Sequence, residues 1–246
     1  MASDAGDAEM YDLLNPWDPD QHPADRFYHE LVMAAPSVLD VGCGTGAMLH
    51  CAREQGHTGW LVGLDPDRAA LSRARRRADI EWIEAVAADA PAGADVALAT
   101  MTGHAFQVLV TDDEVRASLA AVRRALLPGG CFAFETWHPQ ARAWEGWSPQ
   151  NPDDVVELLD GTGRTVRVWH EVDAVVDDVV TFHGTTAALD GTVLGTDRAS
   201  LRFLDVTTLD AFLTEAGFEI EAQYGDWHRG PVTGDSHEIV TIARRG

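Results

Sequence analysis

Lysine is absent from the 246 residues, and all eighteen basic side chains are arginine. That absence excludes a Schiff-base lysine, hence pyridoxal-phosphate and lysine-aldolase chemistry, and a Walker A loop, whose lysine reaches nucleotide phosphates. Positive charge is scarce overall, because eighteen Arg against forty Asp and Glu leave a formal charge of -22. Nucleic-acid affinity comes largely from Lys and Arg contacts to phosphate, and polybasic segments draw proteins to anionic membranes, so neither partner is expected. No apolar run reaches transmembrane length, and the acidic Met1–Glu9 stretch lacks the basic and apolar regions of a secretory signal. Cysteine is sparse too. Cys43, Cys51 and Cys131 are far apart, odd in number and without paired metal-ligand spacing, which points to a reducing cytoplasm rather than a disulfide frame.

What is present is an ordinary globular composition, with 46% apolar and 24% charged residues in 26.7 kDa, enough for one sizeable core. From residue 36 short apolar runs alternate with helical stretches. Val38–Val41 reads as a strand, followed by a helix from Ala47 to Glu54 and a strand at Trp60–Leu64. Asp67 is placed to cap the next helix, whose end carries Arg73, Arg75, Arg76 and Arg77, a solvated helix end whose charge suits the dipole. Runs at 80–86, 95–100 and 131–136 read as buried strands, bounded by turn residues at Pro91–Gly93 and Pro128–Gly130. Between the last two, Thr111 with Glu114 fits a capping box, and Val115, Leu119, Val122 and Leu126 form one apolar face. Such alternation predicts an α/β fold with a parallel sheet covered on both faces.

After Thr136 the texture changes. A loop rich in Trp, Pro and Arg precedes β-branched runs at 165–176, 179–189 and 192–204, with Asp190-Gly191 as a hairpin turn signal. These predict an antiparallel insertion over residues 153–204, most simply three strands. The α/β pattern then resumes with a helix over 206–216 that stops at Gly217, and strands at 218–224 and 238–243. The chain thus divides into an amino-terminal helical stretch (1–35), an α/β core (36–136), the Trp-rich loop and β insertion (137–204) and a carboxyl-terminal completion of the sheet (205–246).

Chemistry concentrates in Val38-Leu-Asp-Val-Gly-Cys-Gly-Thr-Gly46, a strand running into three alternating glycines and a helix. Gly42, Gly44 and Gly46 allow a tight positive-φ turn and let a ligand approach bare backbone, while the helix directs N–H groups at it. Asp65, at the end of the next strand, is placed where a carboxylate can accept both ribose hydroxyls, and Asp89 is the next acidic group on that edge. The glycine pattern with Ala47 also satisfies a permissive dinucleotide fingerprint, so an NAD-linked oxidoreductase stands as a rival. Asp40 separates the two, because a carboxylate just before the loop repels a pyrophosphate and suits an ammonium group.

The Asp40-x-Gly-x-Gly-x-Gly46 segment resembles the first motif of the class I S-adenosylmethionine-dependent methyltransferases, over residues 36–136 and, in topology, 205–243. The resemblance implies a Rossmann-like, mostly parallel seven-stranded sheet with helices on both faces, and an antiparallel insertion after the fifth strand. It also implies S-adenosylmethionine as cofactor, S-adenosylhomocysteine as product, and a small-molecule acceptor methylated on N or O by in-line displacement. Asp40, Gly42, Cys43, Gly44 and Gly46 would line the amino-acid end of the cofactor. Asp65 and Pro66 would lie at the ribose, Ala88 and Asp89 near adenine, and Thr100, Met101 and Thr102 beneath the sulfonium. The insertion looks like the lid of enzymes acting on metabolites and natural products. The fourth strand ends neither in Asn-Pro-Pro-Tyr nor in magnesium-holding acids, so polymer substrates and a metal lose support.

Candidates for proton removal lie at strand ends, His104 first and His138 second, since imidazole titrates near neutrality. Trp137, Arg142, Trp144 and Trp147 either build an acceptor pocket or pack the insertion against the core. Phe106, Trp227, His237 and the Ser236–Glu238 segment are placed to reach the same mouth or to serve as plain loop. Tyr11 would contact the sulfonium region from a helical cap, with Tyr28 as a further substrate contact. A monomer or homodimer is expected. Two rivals keep the fold without methyl transfer, a cofactor-binding module and an enzyme using the cofactor as a cationic prop.

Overall fold

The computed structural model describes residues 5–246, with side chains from residue 8 onward. The first four residues of the acidic amino-terminal stretch lie outside the described residues. Two helices, α1 (Ala5–Leu14) and α2 (Pro23–Ala34), precede the core. The core then runs β1 (Ser37–Val41), α3 (Ala47–Glu54), β2 (Trp60–Asp65), α4 (Arg68–Ala74), β3 (Glu81–Glu84), β4 (Val96–Met101), α5 (Asp112–Ala125) and β5 (Leu126–Trp137). An insertion of β6 (Val156–Leu159), β7 (Thr165–Val176), β8 (Val179–Ala188) and β9 (Val193–Arg202) follows, then α6 (Val206–Glu215), β10 (Phe218–Tyr224) and β11 (Glu238–Arg245).

Seven strands form one sheet in the order β10-β11-β5-β4-β1-β2-β3. Its β3-β2-β1-β4-β5 portion is parallel, while β11 is antiparallel to β5 and β10 to β11. The chain reverses its winding between β1 and β4, and the crevice outside the carboxyl ends of those strands is where open α/β sheets bind ligands. Leu39, Val41, Leu64, Val96, Phe132 and Phe134 are buried in the core under α5 and α6, with Val38, Leu61 and Leu98 packed toward α2 and α3. Each such side chain contributes about 1.5–3 kcal/mol by leaving water. Helix starts follow the predicted chemistry. Thr111 and Glu114 form a complete capping box on α5, and Asp67 accepts the N–H groups of Ala69 and Ala70 on α4.

Two expectations are corrected. The insertion has four strands rather than three, ordered β6-β7-β8-β9; the added β6 is four residues of Val-Glu-Leu-Leu and largely exposed, too short for an alternating pattern to mark it. Pro128–Gly130 does not end a strand but lies within β5, where the register to β4 jumps from Val96–Leu126 to Leu98–Cys131. The side chain of Arg244 donates to the Gly129 carbonyl and that of Arg245 to the Leu126 carbonyl, satisfying backbone there from the neighbouring β11. The arginine run after α4 is a helix end, with Arg76 bonded to the Arg73 carbonyl and Arg77 to Asp79. No helix among the described residues is long and apolar enough to cross a membrane.

Candidate functional site

The glycine loop leaves β1 through left-handed backbone at Gly42 (φ 76°), Gly44 (φ 54°) and Gly46 (φ 79°). The backbone N–H groups of Gly42 and Cys43 both donate to the Leu64 carbonyl at 2.7 and 3.0 Å, which pins the loop to β2. A Cβ at Gly46 would meet the Trp82 ring at 2.3 Å, whereas the space beside Gly44 is open for 4 Å. The loop is therefore closed from below and bare where a ligand would approach. Cys43 packs its side chain against Leu71 and Ala74, so only its backbone belongs to the loop surface.

Asp65 ends β2 and takes the Gly44 N–H on one oxygen (2.8 Å) and the Asp67 N–H on the other (2.7 Å). A carboxylate offers about four acceptor positions, so a vicinal diol still finds two. Asp40, in β1, is 2% exposed and accepts the Thr100 hydroxyl at 2.9 Å. Burial, together with the charges of Asp65 and Glu135, pushes its carboxyl up to about 7, against the pull of the Thr100 hydrogen bond. Burial also raises Asp65, whose two backbone hydrogen bonds pull it down without restoring it.

Helix α1 lies across this edge. Asp12 accepts the Thr45 hydroxyl and pairs with Arg73 at 2.9 Å, tying α1 to the glycine loop and α4. Tyr11 is 53% exposed, yet its hydroxyl comes within 3.3 Å of where a Cβ of Gly103 would stand. Crowding by the surrounding protein, then the charges of Glu135, Asp65, Asp12 and Asp40, raise its phenol above the ordinary value. The cleft is thus ringed with carboxylates.

His104 stands beyond β4 with φ 58°, after Gly103 at 66°. Its N–H donates to Glu135 at 2.9 Å, its Nε2 lies 3.0 Å from Glu238, and its ring stacks on Trp137 with centroids 3.8 Å apart. Burial would lower this imidazole, but the Glu238 hydrogen bond and the charges of Glu135 and Glu238 outweigh it, leaving the group above its usual range. Glu135 is itself buried, accepts the Tyr28 hydroxyl, and is raised by burial. Sequence reasoning did not single out Glu135, Asp12 or Thr45. The one available signal was Glu135 as the sole charge in the apolar Cys131–Trp137 run.

The structure brings Tyr11, Asp40, the three glycines, Asp65, Thr100 and His104 to one edge, with Thr102 half-buried beside it. Met101 is 3% exposed and packs in the core, so only its backbone reaches that edge. Pro66 and Asp89 are exposed and Ala88 half-buried on the turns after β2 and β3. His138 follows Trp137, whose ring stacks on His104, but its own contacts lie elsewhere. Its Nδ1 accepts the Gln140 N–H, burial lowers it, and its electrostatic partner is Asp205 at the start of α6. Three of the expected substrate contacts pack into the core or against it. Tyr28 is 1% exposed, Phe106 stacks on Phe134 at 4.5 Å, and Trp227 packs against Phe27 and Tyr28. His237 is exposed and uses its carbonyl to hold the His138 N–H, while Arg142 is exposed and paired with Glu145. Trp137, Trp144 and Trp147 pack with Phe203, and Trp147 also with Phe182, seating the insertion; Trp144 and Trp147 also line a cavity of about 460 Å³ with Glu171 and Val172.

A ligand that fits carries positive charge at the loop end and a diol toward Asp65. S-adenosylmethionine has both, an ammonium and a sulfonium on its methionine portion and, joined to the sulfonium, a ribose diol, whereas a pyrophosphate would face Asp40. Comparison with known proteins agrees. Residues 38–130 match the family model described as Methyltransferase domain. The 2-phytyl-1,4-naphtoquinone methyltransferase of Trichormus variabilis is 32% identical over 159 residues, covering 57% of this chain and 67% of that enzyme. The dTDP-3-amino-3,4,6-trideoxy-alpha-D-glucopyranose N,N-dimethyltransferase of Streptomyces venezuelae is 33% identical over 141 residues, 56% of each chain. A cypemycin N-terminal methyltransferase of a Streptomyces species is 23% identical over 212 residues, 85% of this chain and 83% of that one. The match to the Thermosynechococcus vestitus naphtoquinone enzyme spans only 50% of its length. Among solved structures, the CcbJ methyltransferase of Streptomyces caelestis superposes with a TM-score of 0.75 at 19% identity, over 99% of this chain and 98% of that one, which establishes the shared fold. From its glycine loop to the strand order of its sheet, this chain belongs to the class I S-adenosylmethionine-dependent methyltransferase family.

Proposed function

We propose that the protein transfers a methyl group from S-adenosylmethionine to nitrogen or oxygen of a small molecule, nitrogen being favoured. The observation that carries this reading is the set of carboxylates at the carboxyl edge of the sheet, Asp40 beside Thr100, Asp65 on the glycine loop, and Glu135 and Glu238 about His104. A cation is drawn there, and an amine is a cation at neutral pH. Nitrogen methylation also stands in the names of the cypemycin and amino-sugar relatives. When bound, the cofactor supplies an electrophilic methyl carbon on a sulfonium sulfur. The chain's own residues bind and orient, Asp65 at the ribose and Asp40 at the ammonium, while His104 takes the acceptor's proton. Cys43, Cys51 and Cys131 are free, which supports a cytoplasmic location.

Calorimetric titration with S-adenosylmethionine, S-adenosylhomocysteine and NAD tests the cofactor, and an acceptor panel of amines and alcohols tests transfer. Binding of the sulfur ligands and methylated amine are expected. Binding of NAD alone overturns the reading, and cofactor binding with no methylated product across the panel favours a binding module. The same titration carries a proton signature. A cation beside Asp40 lowers a carboxyl that stands at about 7, so binding near neutrality releases protons and affinity weakens as pH falls below 7. Binding heats measured in buffers of different ionisation enthalpy should differ in the sense of release; identical heats would remove Asp40 from contact with the ammonium.

A further inference from the structure

We propose that Glu238 is the positioning residue of a His104–Glu238 pair, fixing Nε2 of the imidazole so that Nδ1 takes a proton from an acceptor that arrives as an ammonium ion. The proposal rests on the methyl-transfer reading and adds to it the tautomer, the partner and the acceptor's charge. Three constraints hold the ring. Both Glu238 oxygens lie within reach of Nε2, at 3.0 and 3.2 Å; Trp137 stacks on its face, tilted by 18°; and Glu135 holds the His104 backbone N–H. An ionised carboxylate accepts only, so Nε2 carries the hydrogen and Nδ1 keeps its lone pair. Among the described residues Nδ1 has no hydrogen-bond partner, and the His104 side chain keeps 20% of its surface exposed.

The acceptor's charge follows from what surrounds the base. Glu238 of β11 and Glu135 of β5 face His104, Tyr28 of α2 bonds Glu135, and Tyr11 of α1 covers Gly103. Two carboxylates stabilise an imidazolium formed there and attract an ammonium before the proton moves. An alkylammonium has a pKa of about 10, close enough for a strengthened imidazole to compete, whereas an alcohol is far weaker as an acid. The N–H bond of the ammonium breaks, its electron pair stays on nitrogen as the lone pair that attacks, and the proton forms a new bond to Nδ1. Imidazolium later returns that proton to solvent.

The pair is testable without turnover. In the free protein, ¹⁵N NMR of the His104 ring should show the Nε2–H tautomer and a titration above that of an ordinary histidine. Glu238→Gln should lower that titration by about one unit, the usual effect of losing a neighbouring opposite charge, and mix the tautomers. Glu238→Asp should restore much of both. An unchanged titration in Glu238→Gln, or a dominant Nδ1–H tautomer in the wild type, overturns the pairing. With an amine acceptor, Glu238→Gln should lower kcat about 10-fold while the cofactor KM holds. Its acid limb should move to lower pH, because a less basic imidazole stays neutral further into acid. Methylation of alcohols in preference to amines overturns the ammonium part, and wild-type protein that binds cofactor yet methylates nothing sinks the methyl-transfer reading while the NMR result still decides the pair.

Discussion

Asp65→Ala is expected to weaken S-adenosylmethionine binding at least 100-fold. Two charge-assisted hydrogen bonds to a ribose diol contribute about 1.5–3 kcal/mol each, and about 1.4 kcal/mol is tenfold in affinity. A second loss compounds the first. Asp65 also receives the N–H groups of Gly44 and Asp67, so its removal frees the bare side of the glycine loop as well as the ribose site. Asp65→Asn separates the two effects, since its oxygen still accepts one backbone N–H while the charge is lost. Calorimetry with S-adenosylhomocysteine checks both variants, and an alanine variant that binds as tightly as the wild type would remove Asp65 from the cofactor site.

Glu135→Leu should destabilise the fold by about 2–6 kcal/mol, because it strands two donors, the buried Tyr28 hydroxyl and the His104 N–H, at about 1–3 kcal/mol each. That is a large part of the 5–15 kcal/mol typical of a whole domain, given as an order of magnitude. Glu135→Gln should lose less, since an amide can still accept from His104 and donate to the Tyr28 oxygen. The sign of the pH dependence is fixed by burial, which raises the Glu135 carboxyl in the folded state. A raised carboxyl contributes stability that is present below its unfolded value and lost as pH rises through its folded value. The wild type therefore gives up part of its advantage over leucine as pH increases. Urea unfolding near pH 5 should show a larger difference between the two proteins than near pH 8; the opposite order would mean Glu135 is ionised at little cost.

Locally encoded features were legible in the sequence. The capping box at Thr111 and Glu114, the Asp67 cap and the limits of β10 each depend on residues a few positions apart, and the glycine loop with Asp40 and Asp65 follows from two consecutive strand ends. Polar pairings made across the fold were not. Tyr28 and Glu135 are 107 positions apart, and His104 and Glu238 are 134 apart, so nothing local announces that they share a proton network. Aromatic residues were ambiguous by type. Phe106, Tyr28 and Trp227 suit a substrate pocket or a core equally well, and only the fold shows Phe106 and Tyr28 buried in the core and Trp227 half-buried against it. Pro128–Gly130 has turn composition, yet β5 continues through it because carbonyls freed by the irregular register find the arginines of β11.

The consecutive left-handed residues Gly103 and His104 turn the chain so that a peptide N–H points at Glu135. Glycine adopts that conformation freely; a residue with a Cβ gives up about 1–2 kcal/mol to hold it. At 104 the backbone would therefore be more comfortable with glycine than with the imidazole it carries. Against that cost stand the Trp137 stack and the Glu238 hydrogen bond, which only the imidazole makes. A glycine at 104 would relieve this φ angle and give up both contacts, so the strain at one residue is held in place by the packing around it.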